Sequence, residues 1–229
     1  MSVGKLSEVV IPLFGILDVT GEVIMMWIII AVVAVLSLLA TRNLQERPRG
    51  LQNMMEAGVE YLDHFFSELI GKRKTRKYFW FLGSMFVFII FGNYSGLIPG
   101  VGLTPYLKAP TSSLSVTLGF GGLVFLFLQG ASIRELGFRG FIRRFISPVA
   151  LLLPLLALDE IIKPASLALR LFGNIFGEET VTEQLYELLP IGAPIIMMGL
   201  SILFCAIQAV VFTMLTSIYL DEATELEEE

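Results

Sequence analysis

Apolar residues run almost unbroken through five stretches of this chain, at residues 23–40, 78–98, 114–131, 146–176 and 188–220, and charged residues gather between them. A helix needs about 20 apolar residues to cross a ~30 Å hydrocarbon core, so each stretch predicts a membrane helix. The first and third are short enough to cross nearly upright. The last two run to about thirty residues, or roughly 45 Å at 1.5 Å per residue, and must tilt strongly, kink or lie partly along the membrane. Pro148, Pro154 and Pro164 in the fourth, with Pro190 and Pro194 opening the fifth, supply places to bend or begin. Within 48–71, Leu51, Met55, Val59, Leu62, Phe66 and Leu69 recur at three- and four-residue spacing, opposite Gln52, Glu56, Glu60 and Asp63. That pattern predicts an amphipathic helix at the membrane interface. The predicted fold class is an all-α integral membrane protein, a single domain over 1–229 with five transmembrane helices and one interfacial helix.

Composition sharpens this picture. The chain is 55% hydrophobic and 16% charged, against roughly 25% charged in soluble domains. Its one histidine, His64, falls in the interfacial helix, and its one cysteine, Cys205, lies in an apolar run. Metal-centred and thiol chemistry have almost no residues to work with, and no nucleophile–base pair stands out. Neither a metal, a cofactor nor a nucleic-acid partner is therefore expected. The N-terminus carries only Lys5 before its first apolar run and does not read as a removable signal. The net charge of −5 owes much to the tail from Asp221 to Glu229, which reads as a solvated, frayed end.

Basic residues set the expected orientation, because they are retained on the cytoplasmic side. Arg42, Arg47, Arg49, Lys72, Arg73, Lys74, Arg76 and Lys77 lie between the first two spans, and Arg134, Arg139, Arg143 and Arg144 follow the third. Only Lys108 lies between spans two and three. Five crossings then place the N-terminus outside and the C-terminus in the cytoplasm.

The fourth stretch contains Arg170, a permanent cation where a bilayer would surround it. Such a charge costs roughly 2.5–3.5 kcal/mol at the bilayer centre on insertion scales, and intramembrane charges of this kind mark function by default. At 100° per residue, Glu160, Lys163, Ser166, Arg170, Asn174 and Glu178 fall within about 120° of one another. Polar groups at this depth must face protein or a water-filled path. Glu179 projects to nearly the opposite side from Arg170. On the fifth stretch, Ser201 and Gln208 share a face, with Thr216 and Tyr219 beyond them, and Gln208 is the expected companion of Arg170. The plainer account of Ser166, Ser201 and Thr216 is that small polar residues hold helices together.

The run KPASLALRLFGNIFGEE at 163–179 resembles the signature of subunit a of F-type ATP synthases, and QAVVFTMLTSIY at 208–219 is similar to that family's last helix. FGNYSGLIPG at 91–100 and PTSSLSVTL at 110–118 are similar to its turn after the second span and the start of its third. The resemblance follows chain order through nearly the whole sequence. It implies a non-catalytic stator subunit in a bacterial cytoplasmic membrane, pressed against a rotating ring of c subunits and associated with peripheral-stalk b subunits. Two offset half-channels would lead protons or sodium ions to and from carboxylates on that ring, and their flow would drive ATP synthesis. Arg170 matches the family's essential arginine, which would favour the ionised form of each passing carboxylate and stop ions from crossing directly. Glu179 matches the acidic residue of the outer half-channel, and Asn174 and Gln208 match polar neighbours of the arginine. Ser166 and Lys163 match the positions leading into it.

The chain departs from the family where some relatives carry a histidine or acid seven residues before the final-helix glutamine, since Ser201 stands here. Ser113 and Ser115 likewise occupy positions where Asp or Asn is frequent, and Glu178 is available to compensate for either. A secondary transporter or channel holding an anionic substrate at Arg170 is the competing reading. It would bring paired interrupted helices in two related halves, and the sequence shows no such repeat. An intramembrane enzyme lacks its reactive set, and a plain scaffold would tolerate Arg170→Ala.

Overall fold

The computed structural model describes residues 9–13, 17–42, 44–45, 49–98, 108–146, 153–188 and 192–225. Lys5, Arg47, Pro48, Pro99, Pro148 and Pro190 lie outside the described residues, as does the tail beyond Glu225. Five long helices make up nearly all of the rest. A short antiparallel hairpin, β1 (Val9–Leu13) with β2 (Leu17–Thr20), precedes them, with Ile11 opposite Val19 and Leu13 opposite Leu17.

Helix α1 (Gly21–Thr41) coincides with the first predicted span. Helix α2 (Leu51–Ser95) combines the predicted interfacial helix and second span, separated at Gly71, whose φ of 78° breaks the helical path. Glycine adopts that conformation without the penalty a Cβ would bring. A 3-10 turn at Pro110–Ser112 leads into α3 (Leu114–Ile146), which bends in the same way at Gly137 with φ 69°. Helices α4 (Leu153–Leu188) and α5 (Gly192–Thr224) are longer than an upright crossing requires.

Helix boundaries differ from the sequence expectation, by a few residues in α5, which runs Gly192–Thr224 against an expected 188–220, and by more in α3 and α4. The third helix outruns residue 131, and the fourth begins at Leu153 and continues past residue 176 to Leu188. Apolar content reports where a helix meets lipid or core, whereas the backbone ladder continues through charged residues that do not oppose it. Pro154 sits in the first turn of α4, where its missing N–H costs nothing. Helices α1, α2, α3 and α5 are long and apolar enough to cross a membrane by length and composition. Helix α4 is long enough but carries Asp159, Glu160, Lys163, Arg170, Glu178 and Glu179, too many charges for composition to mark it.

Packing follows α3 on α4, α2 on α5 and α4 on α5, with α1 at the edge against α2. The centre contains Phe66, Leu82, Ile89, Val124, Leu167, Leu171, Ala209 and Phe212. Large apolar side chains such as Trp27, Leu38, Leu126 and Ile196 are exposed on the outside. In water that surface would drive association; against lipid tails it costs nothing, and close packing takes over as the force holding helices together. Gly121 shows the consequence, because a Cβ there would lie 2.9 Å from the Pro164 carbonyl oxygen and 3.0 Å from the Ala168 Cβ. The third and fourth helices meet backbone to backbone at that point.

Candidate functional site

Three contacts fix α4 against α5 in antiparallel register. Lys163 pairs with Glu222, the Asn174 side-chain amide donates to Gln208 Oε1 at 2.7 Å, and Glu178 lies beside the Ser201 hydroxyl. As residue numbers rise along α4, their partners fall along α5. Lys163 also pairs with Asp159 one turn away at 3.3 Å and sits over the Tyr219 ring at 5.6 Å from its centroid.

Arg170 lies between the Lys163 and Asn174 anchors and is exposed. Among the described residues its guanidinium makes no hydrogen bond and no ion pair. The expected companionship with Gln208 is therefore not what the structure shows. Gln208 is 2% exposed and accepts from Asn174 at its carbonyl oxygen, and its Nε2 has no partner among the described residues. Ser166, one turn before Arg170, is exposed on the same helix.

The stripe along α4 divides among neighbours instead of forming one wet face. Glu160 turns to α3, where it accepts from Gln129 Nε2 at 2.8 Å and pairs with Arg144. Lys163, Asn174 and Glu178 turn to α5. Ser166 and Arg170 are exposed with no side-chain partner among the described residues, and Asn174 is exposed beside its bond to Gln208. A 3.6-residue period identifies a face about 120° wide, and two helices packed at different angles can divide a face of that width between them.

Toward the other end of α4, Glu178 Oε2 is buried with no hydrogen-bond partner among the described residues, and Glu179 is exposed. The Ser201 hydroxyl donates to its own helix at the Met197 carbonyl, 2.8 Å away, as Thr216 does to Phe212 at the same distance. Both hydroxyls are buried and donate within their own helix, and Ser201 also lies against Glu178 of α4. Asn93 of α2 donates to the Cys205 carbonyl at 3.3 Å, and its Oδ1 is buried and unpartnered, as is Thr111 Oγ1 beside Gly92. Sequence reading missed Asn93 and Thr111 as individual polar groups, although both lie inside the two motifs it singled out. Their signal is a buried amide and hydroxyl on otherwise apolar elements.

The opposite end of the bundle is laced with ions. Lys74 reaches Asp221 at 2.6 Å and Glu225 at 2.9 Å, Lys77 and the Tyr78 hydroxyl both meet Glu135, and Arg144 also donates to the Ala223 carbonyl at 3.5 Å. This corrects the reading of the acidic tail. Asp221, Glu222 and Glu225 are structural partners of α2 and α4, and residues 226–229 lie outside the described residues. His64 stays at the surface, 3.4 Å from Glu68.

Long apolar helices, with a charged helix packed among them and its central arginine left open, define a multi-pass helical membrane protein. Residues 23–221 match the family model for the ATP synthase A chain. The chain is also 40% identical over 206 residues to the ATP synthase subunit a of Moorella thermoacetica, across 90% of this chain and 91% of that protein. It belongs to the ATP synthase A chain family, the non-catalytic membrane subunit of F-type ATP synthases.

Proposed function

We propose that this chain is the stator that forms both ion half-channels against a ring of c subunits, and that Arg170 is the barrier between them. The observation that carries the reading is the unpartnered, exposed guanidinium between two anchored levels of α4. A cation that would otherwise cost several kcal/mol in lipid needs a counter-charge, and none comes from its own described residues. Ring carboxylates arriving in turn would supply it. The fixed charge favours their ionised form, so the ion leaves. It also repels a cation that would cross without turning the ring.

Asn174 and Gln208 brace α4 against α5 at the level next to Arg170, which keeps the arginine from swinging toward α5. Glu178, Glu179 and Ser201 line the path at the outer end, where Asn93 and Thr111 add polar atoms that need water. Lys163 and Ser166 lie on the side leading to the cytoplasm. The basic residues after α1 and α3 favour a cytoplasmic ion-laced end and an outside N-terminus, in a single membrane domain of a bacterial cytoplasmic membrane. Partners are the c ring, the peripheral-stalk b subunits, lipid and the translocated proton or sodium ion.

The test is Arg170→Ala in the complex reconstituted into vesicles. Ion-driven ATP synthesis is expected to vanish while the subunit stays assembled. Normal coupled synthesis by that variant removes the proposal in favour of a scaffold.

A further inference from the structure

Basic residues at the ion-laced end fall into two groups. Lys74, Lys77, Arg144 and Lys163 turn inward and are all paired with carboxylates. Lys72, Arg73, Arg76, Arg134, Arg139 and Arg143 are exposed and make no ion pair among the described residues, Arg73 feeling only the nearby Glu135 charge. These six outward cations at the bends of α2 and α3 are open to a counter-charge from outside the chain.

The backbone says where that rim lies. Residues 114–136 of α3 span roughly 34 Å as helix, enough to cross the hydrocarbon core. The positive φ of Gly137 then turns the chain, so the following turns, to Ile146, continue in a new direction. On this short segment Phe138 and Ile142 form one exposed apolar row, 68% and 42% accessible. Arg139 and Arg143 form the adjacent row, also spaced by four residues. The bend at Gly71 repeats the device in α2, and the Lys77–Glu135 pair brings the two bends together. An exposed apolar row beside an arginine row is the pattern of a helix lying in an interface, with rings among acyl chains and guanidinium groups at the phosphates.

We propose that the segment after Gly137, with Arg134, Arg76 and Lys72, is a docking surface for anionic phospholipid headgroups. The exposed apolar row decides for lipid over an acidic protein segment, because it follows directly from a membrane-crossing helix and needs hydrocarbon beside the charges. Guanidinium groups match phosphate with paired N–H donors, which a diffuse attraction to any anion would not require. The surface would hold the bent ends of α2 and α3 at a fixed depth. It is separate from Arg170 and does not depend on the proposed ion path.

The test uses the whole ATP synthase complex in nanodiscs of equal phosphatidylcholine and phosphatidylglycerol, with retained lipids counted by native mass spectrometry. Phosphatidylglycerol should be retained in preference, and Arg139→Gln with Arg143→Gln should lower that preference roughly threefold to tenfold. Arg139→Lys with Arg143→Lys, which keeps the charge but loses the paired donors, should lower it by less than the Gln pair does. Lys74→Gln, which touches only the inward set, should leave it unchanged. Should the double Gln variant not assemble, salt titration of the unaltered complex decides, since a preference that survives high salt overturns the proposal. Equal retention of both lipids overturns it, as does an unchanged preference in the double variant. Loss of another subunit with lipid retention unchanged would identify an acidic protein segment as the occupant and overturn it too.

Discussion

An arginine without an acceptor in its own described chain behaves differently from one locked in an ion pair, and the contrast between Arg170 and Arg144 shows why. Arg144 is held by Glu160 and the Ala223 carbonyl, so its charge is already compensated. Arg170 is not. Arg170→Lys keeps the charge but replaces a broad planar fork with a point charge that sheds its proton more readily when desolvated. Ion-driven synthesis in that variant should fall at least as far as its assembly allows and become steeply dependent on pH in the alkaline range, measured as ATP formed per imposed gradient. Behaviour equal to the unaltered protein would mean that the fork is irrelevant. The two neighbouring carboxylates separate in the same manner. Glu179→Gln should slow passive ion conduction by about a hundredfold, the low side of what losing a positioned proton carrier costs. Glu178→Gln should slow it less, and adding Ser201→Glu should restore conduction, because it returns a carboxylate to the opposite wall of the same contact. No restoration, with the double variant assembled, would remove Glu178 from the path.

Between elements, the decisive quantity is how closely backbones approach. Gly121 faces the Pro164 carbonyl, and the added methyl of Gly121→Ala would push α4 away from α3. Overpacking of this kind costs about 1–3 kcal/mol. Assembly of the complex should weaken accordingly, read as a lower midpoint for thermal release of the subunit. Gly119→Ala, with nothing within 4 Å of its added Cβ, should be neutral. Equal behaviour of the two variants would sink the close-approach account. This pair also shows where sequence reading stops. Helix existence and the polar face around Arg170 were legible, since a 3.6-residue period and apolar length are local properties. Which glycine meets which carbonyl is not, because residues 121 and 164 are far apart in the chain. The same holds for Gln208, whose face was readable but whose choice of Asn174 over Arg170 depends on the register of two helices. The bends at Gly71 and Gly137 lay hidden for another reason: glycine marks permission to bend, and only packing decides which glycine uses it.

At the scale of the whole molecule, the two ends of the bundle treat charge differently. Among the described residues one end pairs its inward charges across three helices, whereas buried polar atoms without protein partners occur at both ends, at Asn93, Thr111 and Glu178 on one side and at Gln129 and Ser132 on the other. The acidic tail was misread as solvated because Lys74 lies 147 residues from Asp221, beyond any local pattern. These ion pairs tie α2 and α4 to α5 at the ion-laced end, which the proposed stator role would need if the chain bears torque from a turning ring. Lys74 and Asp221 are each less than one-third exposed, so their hydrogen bond is only partly screened. Hydrogen bonds to charged groups contribute about 1.5–3 kcal/mol, and Lys74→Glu would add repulsion against Asp221 and Glu225 to that loss. The single reversal should lower the midpoint of thermal release by several degrees, while Lys74→Glu combined with Asp221→Lys should recover much of it. Glu225 remains as a second acid beside the exchanged pair, so recovery should be incomplete, and adding Glu225→Gln should move it further toward the original value. A double reversal no better than the sum of its parts would mean that the tail is held by its helix alone and that the ion pairs are incidental to the tie.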